Sequence, residues 1–295
     1  MQLAETTSNG RTAALARRGV VAVGGVDATL FLNDLVTADI TVAGPGRAVY
    51  AALLTPQGKV LFDFIVFRDG DRYLIDVPRG SVADFLKRLA FYRLRSKVTI
   101  DDLSDARVVL AGWGGTEPPS RWVVAPDPRL PALGWRALAD ASDPVAAITG
   151  ASEADYDAHR IGLGIPEGGL DFDYGAVFPH DVGIDQLGGL DITKGCYVGQ
   201  EVVTRIEHRG TARRRVVVVR GTGPLPMPGT AITAGEQQIG TLMSSFDGAG
   251  LATVRLDRAK EAIDAGVPVT AAGTVLALAL PGWAQFGWPE TGNVD

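Results

Sequence analysis

The stretch 194–201, KGCYVGQE, contains the one cysteine of the chain, Cys196. Apolar residues recur at helical spacing in GQEVVTRI, which predicts a helix that begins near Gly199, directly after this cysteine. A helix N-terminus and the charge of Lys194 both favour a thiolate over a thiol, so the sulfur is predicted to be reactive. A small cysteine packed in a glycine-rich turn is the alternative, and the residues alone leave both open.

Basic side chains follow this stretch. The run TRIEHRGTARRR sets five arginines against one acid: Arg205, Arg209, Arg213, Arg214 and Arg215. Guanidinium groups bind carboxylates and phosphates through paired, charge-assisted hydrogen bonds. The run therefore predicts an anion-binding surface, and a solvated segment between domains is the alternative.

A third candidate is an acid inside an apolar strand. In KVLFDFIVF, alternation places Asp63 on the same face as Leu61, Ile65 and Phe67. A buried carboxylate must be paired, hydrogen-bonded or protonated, and such a group can serve a ligand. The alternative is an edge position where Asp63 reaches water.

The count of metal-binding residues excludes several kinds of site. One cysteine and three histidines, His159, His180 and His208, show no CxxC or HExxH spacing, so we expect no self-contained zinc site. A four-thiolate iron–sulfur cluster cannot be built from one cysteine. Cys196 can donate only one ligand to a cluster that a partner protein shares.

Composition narrows the class of protein. The chain has 295 residues, of which 46% are hydrophobic, and its net charge is -6, which disfavours an extended nucleic-acid surface. An RNA-binding module that uses the arginines of 205–215 is therefore the last-ranked hypothesis. No signal-peptide pattern or long apolar run is present, so we expect a cytoplasmic protein with no membrane partner.

The pattern of elements predicts an α+β protein. The segment that ends near Gly19 predicts a short helix. Strand patterns and a helix in the order β-β-β-α-β predict a subdomain at about 46–103. Short strands separated by turns follow, so we divide the chain into 1–210 and a C-terminal β-barrel domain at 211–295.

Several segments together carry a family resemblance. They are GVDATLFLNDLVTADI, LLTPQGKVLFDFIVF, HRIGLGIPEGG, VFPHDVGIDQLGG, LGGLDITKGCYVGQEVVTR and HRGTARRR. In this order they resemble the YgfZ-type folate-binding proteins, which are implicated in iron–sulfur cluster assembly and repair. That group is related to the glycine-cleavage T-protein, an aminomethyltransferase.

The resemblance implies a T-protein-like α+β fold. This fold has two intertwined α/β parts, one of them ferredoxin-like, and a C-terminal β-barrel around a central folate site. It also implies tetrahydrofolate as the cofactor. The implied partners are cluster-assembly proteins or iron–sulfur enzymes, including those that methylthiolate tRNA.

The resemblance, together with chemical type, suggests roles for particular residues. Cys196 is the functional thiol, Asp63 or Glu201 takes the pterin edge, Tyr197 stacks on the ring, and Arg205 or Arg209 binds the glutamate tail. The predicted cofactor-binding set is Asp63, Lys194, Tyr197, Gln200, Glu201, Arg205 and Arg209. Tyr197 and Gln200 can equally be structural members of the turn.

One departure from the T-protein pattern bears on catalysis. T-proteins carry adjacent acids in the strand that corresponds to KVLFDFIVF, whereas this chain has Phe62 before Asp63. Neighbouring strand residues face opposite sides, so Asp63 cannot replace an acid lost at position 62. We therefore expect a folate-binding accessory protein rather than an enzyme, and a folate-dependent one-carbon transferase is the alternative.

Overall fold

The computed structural model describes residues 10–144, 150–210 and 212–290, which form fifteen strands and five α-helices. The strands are β1 (Arg11–Ala14), β2 (Arg18–Gly24), β3 (Val49–Leu54), β4 (Val60–Asp69), β5 (Arg72–Pro78), β6 (Thr99–Asp102), β7 (Arg107–Trp113), β8 (Val123–Pro126), β9 (Trp135–Asp140), β10 (Arg214–Gly221), β11 (Ala231–Ala234), β12 (Gln237–Phe246), β13 (Ala249–Arg255), β14 (Val269–Ala271) and β15 (Thr274–Ala279). The helices are α1 (Ala28–Asn33), α2 (Val82–Arg93), α3 (Glu153–Gly162), α4 (Gln200–Arg209) and α5 (Leu256–Asp264).

The predicted α+β order is confirmed. Strands β3, β4 and β5 are followed by α2 and then β6, and they belong to a five-stranded sheet of order β3-β4-β5-β2-β6. The spacing of α2 predicts an apolar stripe of Val82, Phe85, Leu86 and Leu89; the helix buries all of these except Leu86, which is half-buried. Burial of this stripe is the main reason that a twelve-residue helix is stable here.

The predicted helix before Gly19 is wrong. Residues 11–14 form β1, which pairs antiparallel with β7, Arg11 opposite Trp113 and Ala14 opposite Leu110. The sheet has the order β1-β7-β9-β8. Pairing with a strand about a hundred residues away outweighs the local helix preference of an alanine-rich segment.

The last six strands close into a barrel of order β10-β13-β12-β11-β14-β15, which confirms the predicted C-terminal barrel. Its interior is aliphatic and includes Val217, Val219, Ile232, Leu242 and Ala252. Because the strands close on themselves, the barrel has no unpaired sheet edge.

Two compact units alternate along the chain. One consists of Met1–Phe31, Ile40–Val49 and Phe64–Tyr156, and the other of Leu32–Asp39, Tyr50–Asp63 and Asp157–Asp295. The second unit contains Asp63, the whole KGCYVGQE stretch and the barrel. Within the described residues, no helix has both the length and the apolar character that a membrane crossing needs.

Candidate functional site: the Cys196 loop and Asp63

The KGCYVGQE stretch forms a loop that leads into α4. Gly199 is the N-cap of this helix and has a φ of 82°, a left-handed conformation that favours glycine. A Cβ at Gly199 would lie 2.5 Å from the carbonyl oxygen of Thr55, in the turn between β3 and β4. The two glycines therefore let backbones meet closely, since Gly58 in that turn likewise faces Val202 of α4.

Cys196 is exposed in this loop. Its neighbour Gly195 is exposed as well, and a Cβ there would meet no atom within 4 Å. The exposure contradicts the alternative of a cysteine packed in the turn. The sulfur is open to an external reagent, metal ion or protein.

Lys194 does not contact the thiol of Cys196 in the way its charge suggested. It anchors the loop through backbone carbonyls. Its ammonium donates hydrogen bonds to the carbonyl oxygens of Asn33 (2.6 Å), Val36 (2.7 Å) and Ala38 (3.1 Å). An ammonium has three donors, so these carbonyls use its full capacity. Lys194 therefore has no spare donor for a folate, although the sequence suggested that role.

Burial lowers the pKa of Lys194 to about 8, and the carboxylates of Asp39, Asp191 and Asp34 offset only part of this effect. Asp191 is held in place by the backbone of the loop, because its Oδ1 accepts the N–H groups of Thr193 (2.8 Å) and Lys194 (3.1 Å). The loop thus has two polar anchors, one at each side of Thr193.

This lowered pKa predicts a pH dependence of stability. Between pH 8 and 10.5, Lys194 is protonated in the unfolded chain but increasingly neutral in the folded one, so its contribution to the free energy of unfolding rises with pH. We expect the difference in unfolding free energy between the wild type and Lys194→Met to rise over this window in urea titrations. A difference that is flat or that falls would contradict the assignment.

Tyr197 is buried in the loop, with 6% of its surface exposed. Its hydroxyl has no hydrogen-bond partner among the described residues. Burial raises the pKa of Tyr197 to about 12, with a smaller contribution from Asp191. The Lys194 ammonium lies 5.6 Å from the ring centroid. These contacts fit a structural role for Tyr197, the second of the two readings that its sequence position allows.

The remaining predicted residues of the loop and α4 differ in exposure. Gln200 is half-buried, whereas Glu201 and Arg205 are exposed on α4. The side chain of Arg209 lies outside the described part of the structure. Glu201 and Arg205 are therefore the members of the predicted set in this helix that a ligand or partner can contact without rearrangement.

Asp63 is a buried acid, as the apolar alternation indicated, with 3% of its surface exposed. Two phenol groups donate to its carboxylate, Tyr50 to Oδ2 at 3.0 Å and Tyr174 to Oδ1 at 2.7 Å. A Cβ at Gly168 would lie 2.1 Å from Oδ1, so glycine is needed there. Phe62 stands where T-proteins carry the second acid. Its ring packs against that of Tyr174, with 5.6 Å between the ring centroids.

A further polar cluster was not predicted from the sequence. His180 Nε2 lies 2.9 Å from Glu207, and Asp185 binds Arg215 at 2.7 Å. One ligand atom from each of His180, Asp185 and Glu207 falls within 4.8 Å of the others. Arg215 also donates to the carbonyl of His180, at 2.9 Å. The guanidinium of Arg215 supplies a positive charge to this cluster. The sequence spacings, five residues from His180 to Asp185 and 22 from Asp185 to Glu207, match no metal-binding motif.

Comparison with solved structures confirms the T-protein-like fold. The chain superposes on the glycine cleavage system aminomethyltransferase T from Bartonella henselae with a TM-score of 0.74, at 17% identity, over 95% of this chain and 88% of that chain. Two family descriptions also match, the GCVT N-terminal domain over residues 15–126 and the CAF17 C-terminal beta-barrel domain over residues 213–286.

Curated relatives carry a more specific name. The human iron–sulfur cluster assembly factor IBA57, mitochondrial, is 31% identical over 303 aligned positions, which cover 92% of this chain and 83% of that protein. The IBA57 homologue of Mycosarcoma maydis is 34% identical over 72% of this chain, and that of Neurospora crassa is 31% identical over 69%. The chain spans 58% and 52% of the lengths of these two fungal proteins.

These relatives correct one expectation and make another more specific. All three are named mitochondrial, which overturns the cytoplasmic location expected from the sequence. They are also named for IBA57, to which the YgfZ type is a related family. With 31% identity over more than two thirds of both proteins, the human match decides the family. The chain belongs to the family of the iron–sulfur cluster assembly factor IBA57.

Proposed function

We propose that this chain assists the assembly of iron–sulfur clusters, and that Cys196 supplies one thiolate ligand to a cluster held jointly with a partner protein. The observation that carries the proposal is the exposure of the one cysteine in a loop that Lys194 anchors. The names of the relatives support the same process.

The number of ligands decides the form of the site. A cluster of this type uses four protein ligands, most often thiolates, and one chain offers one. A partner must supply the others, so the cluster lies at an interface between two proteins. A cluster held by one ligand on this side also leaves easily when an acceptor offers a better set, which suits transfer rather than storage.

The loop is built to present a ligand from a fixed position. Lys194 fixes the residue two positions before Cys196 by its three carbonyl contacts, and the close approach of Gly199 to Thr55 fixes the segment three positions after it. A ligand held on a rigid base loses less entropy when it binds. Gly195, directly before the cysteine, is exposed and has no neighbouring atom within 4 Å of the position of a Cβ.

The process itself is tested in cells that lack this protein. We expect the wild-type chain to restore the activity of iron–sulfur enzymes in such cells. The control is an enzyme without a cluster, whose activity must not depend on the chain. If the folded chain is present and the iron–sulfur enzymes stay inactive, the assembly role does not hold.

Tetrahydrofolate binding at Asp63 is a second proposal, and it rests on the buried carboxylate. The pterin edge offers adjacent N–H donors, and a carboxylate is the acceptor that pairs with them. The phenol groups of Tyr50 and Tyr174 both donate to this carboxylate, so their rings lie next to any ring system that Asp63 would hold. The residues around Asp63 therefore fit a pterin in chemical type.

We expect Asp63→Asn to weaken tetrahydrofolate binding about 10- to 100-fold, because hydrogen bonds to a charged acceptor contribute about 1.5–3 kcal/mol. Isothermal titration calorimetry measures the change. Asp71→Asn, an exposed substitution in the turn after β4, is the matched control and should bind as the wild type does. Absence of binding by the wild type, or equal affinity of Asp63→Asn, would rule out this site.

A further inference from the structure

The C-terminal barrel carries a cavity of about 300 Å³. Residues from β10, β12, β13 and α5 line it: Arg214, Gln238, Ile239, Gly240, Thr241, Thr253, Val254, Arg255 and Arg258. Three of these residues are arginines, and no acidic residue is among them. A concave site with a few convergent polar groups is the usual form of a small-ligand site.

Two of the arginines face each other across the sheet. Arg214 of β10 and Arg255 of β13 are direct antiparallel partners. Like charges at directly opposite positions destabilise a strand pair. Arg258, from the first turn of α5, adds a third guanidinium to the same cavity. Such an arrangement needs a compensating negative charge.

The protein supplies that negative charge to only one of the three. Asp257 binds the guanidinium of Arg255, with Nε to Oδ1 at 3.1 Å, and its Oδ1 also accepts the backbone N–H of Arg258. The guanidinium of Arg258 instead donates to the neutral carbonyl of Gln238, at 3.1 Å. For Arg214, the described part of the chain shows no hydrogen bond or ion pair with a carboxylate. Two positive charges of the cavity therefore lack a directly bound acid.

A buried acid in the same unit interacts with Arg214 only at longer range. Burial raises the pKa of Asp181, and the charges of Lys59 and Arg214 partly oppose this. Its Oδ2 accepts the backbone N–H of Phe178 at 2.9 Å. Asp181 thus has a local partner of its own and does not occupy the guanidinium of Arg214.

The walls suit a compact, highly charged anion. The lining of the cavity includes two apolar residues of the barrel core, Ile239 and Val254, with 2% and 1% of their surfaces exposed. A Cβ at Gly240 would lie 2.3 Å from the carbonyl oxygen of Thr253, so glycine permits the strands to approach here. The hydroxyls of Thr241 and Thr253 add neutral donors. Guanidinium and hydroxyl donors together are the set that binds phosphate oxygens in proteins.

We propose that this cavity binds a small molecule that carries a phosphate or diphosphate group, held by Arg214 and Arg258. The start of α5 directly after Arg255 adds the partial positive charge of a helix N-terminus. This site belongs to the basic run that the sequence singled out, of which Arg214 is a member. It does not depend on cluster assembly or on folate.

Calorimetric titration of the full chain with inorganic pyrophosphate at low ionic strength tests this proposal. We expect saturable binding of pyrophosphate at one site. The affinity should be at least about tenfold weaker in each single variant, Arg214→Gln and Arg258→Gln, because each loses a charge-assisted pair. The matched control is Arg220→Gln, at the other end of β10, which should bind as the wild type does. Unchanged thermal unfolding of each variant shows that the fold is intact.

Four outcomes would overturn the proposal. They are no saturable binding by the wild type, wild-type affinity in both Arg214→Gln and Arg258→Gln, a loss of affinity in Arg220→Gln as large as in those two variants, and tighter binding of citrate than of pyrophosphate. The last would assign the cavity to carboxylates. Binding of tRNA without binding of pyrophosphate would likewise replace a small-molecule site by an RNA surface.

Discussion

Cys196→Ser should abolish most of the proposed support for iron–sulfur enzymes while leaving the folding of the chain unchanged. Loss of an outer partner of a metal ligand typically lowers metal affinity by roughly 10–100-fold, so loss of the ligand itself should cost at least that much. Because Cys196 is exposed, we expect its replacement to change the free energy of unfolding by less than about 0.5 kcal/mol.

Two measurements on the same variant separate function from stability. Iron–sulfur enzyme activity in cells that lack the native protein reports function, and urea unfolding reports stability. Ile192→Ser is the matched control, because it places a serine at another exposed position of the same segment, with 42% of the isoleucine surface exposed. Full restoration of activity by Cys196→Ser would show that the sulfur has no part in the process.

Lys194→Met should act on the same function through the position of the loop. The substitution leaves the carbonyls of Asn33, Val36 and Ala38 without the donor that joins them. Unsatisfied acceptors of this kind cost about 1–3 kcal/mol in total, since the site is only half-buried. We expect lower stability and lower support for iron–sulfur enzymes, although the thiol is still present.

The control for this prediction keeps the charge and changes the shape. Lys194→Arg retains a cation, but a planar guanidinium does not match three carbonyls that converge on one point. We therefore expect Lys194→Arg to rescue little of the loss. If the arginine variant restores both stability and activity, positive charge rather than the carbonyl geometry is what position 194 provides.

Local pattern was sufficient for most of the fold. Alternation in β4 and the spacing of α2 identified the α+β order, and short strands with turns identified the barrel. The segment at 11–14 shows where such reasoning fails, because its strand conformation comes from pairing with β7. Sequence spacing does not contain a partner that lies so far along the chain.

In the candidate site too, local pattern predicted the burial of a residue but not its distant partners. The burial of Asp63 could be predicted because its neighbours on the strand are apolar. Its partner Tyr174 lies 111 residues away and could not be predicted. The anchoring of Lys194 by carbonyls 156 to 161 residues away was equally hidden, so the sequence assigned its charge to the nearby thiol. Only the folded chain shows that the lysine holds the loop.

Anaerobic reconstitution of the purified chain with ferric iron and sulfide, in the presence of glutathione, tests most directly whether Cys196 is a cluster ligand. The glutathione thiols stand in for the ligands of the partner, and visible absorbance reports a bound cluster. We predict that the wild type acquires cluster absorbance and that Cys196→Ser, equally folded, does not. Equal absorbance in both proteins, or none in the wild type, would contradict a cluster ligand at Cys196.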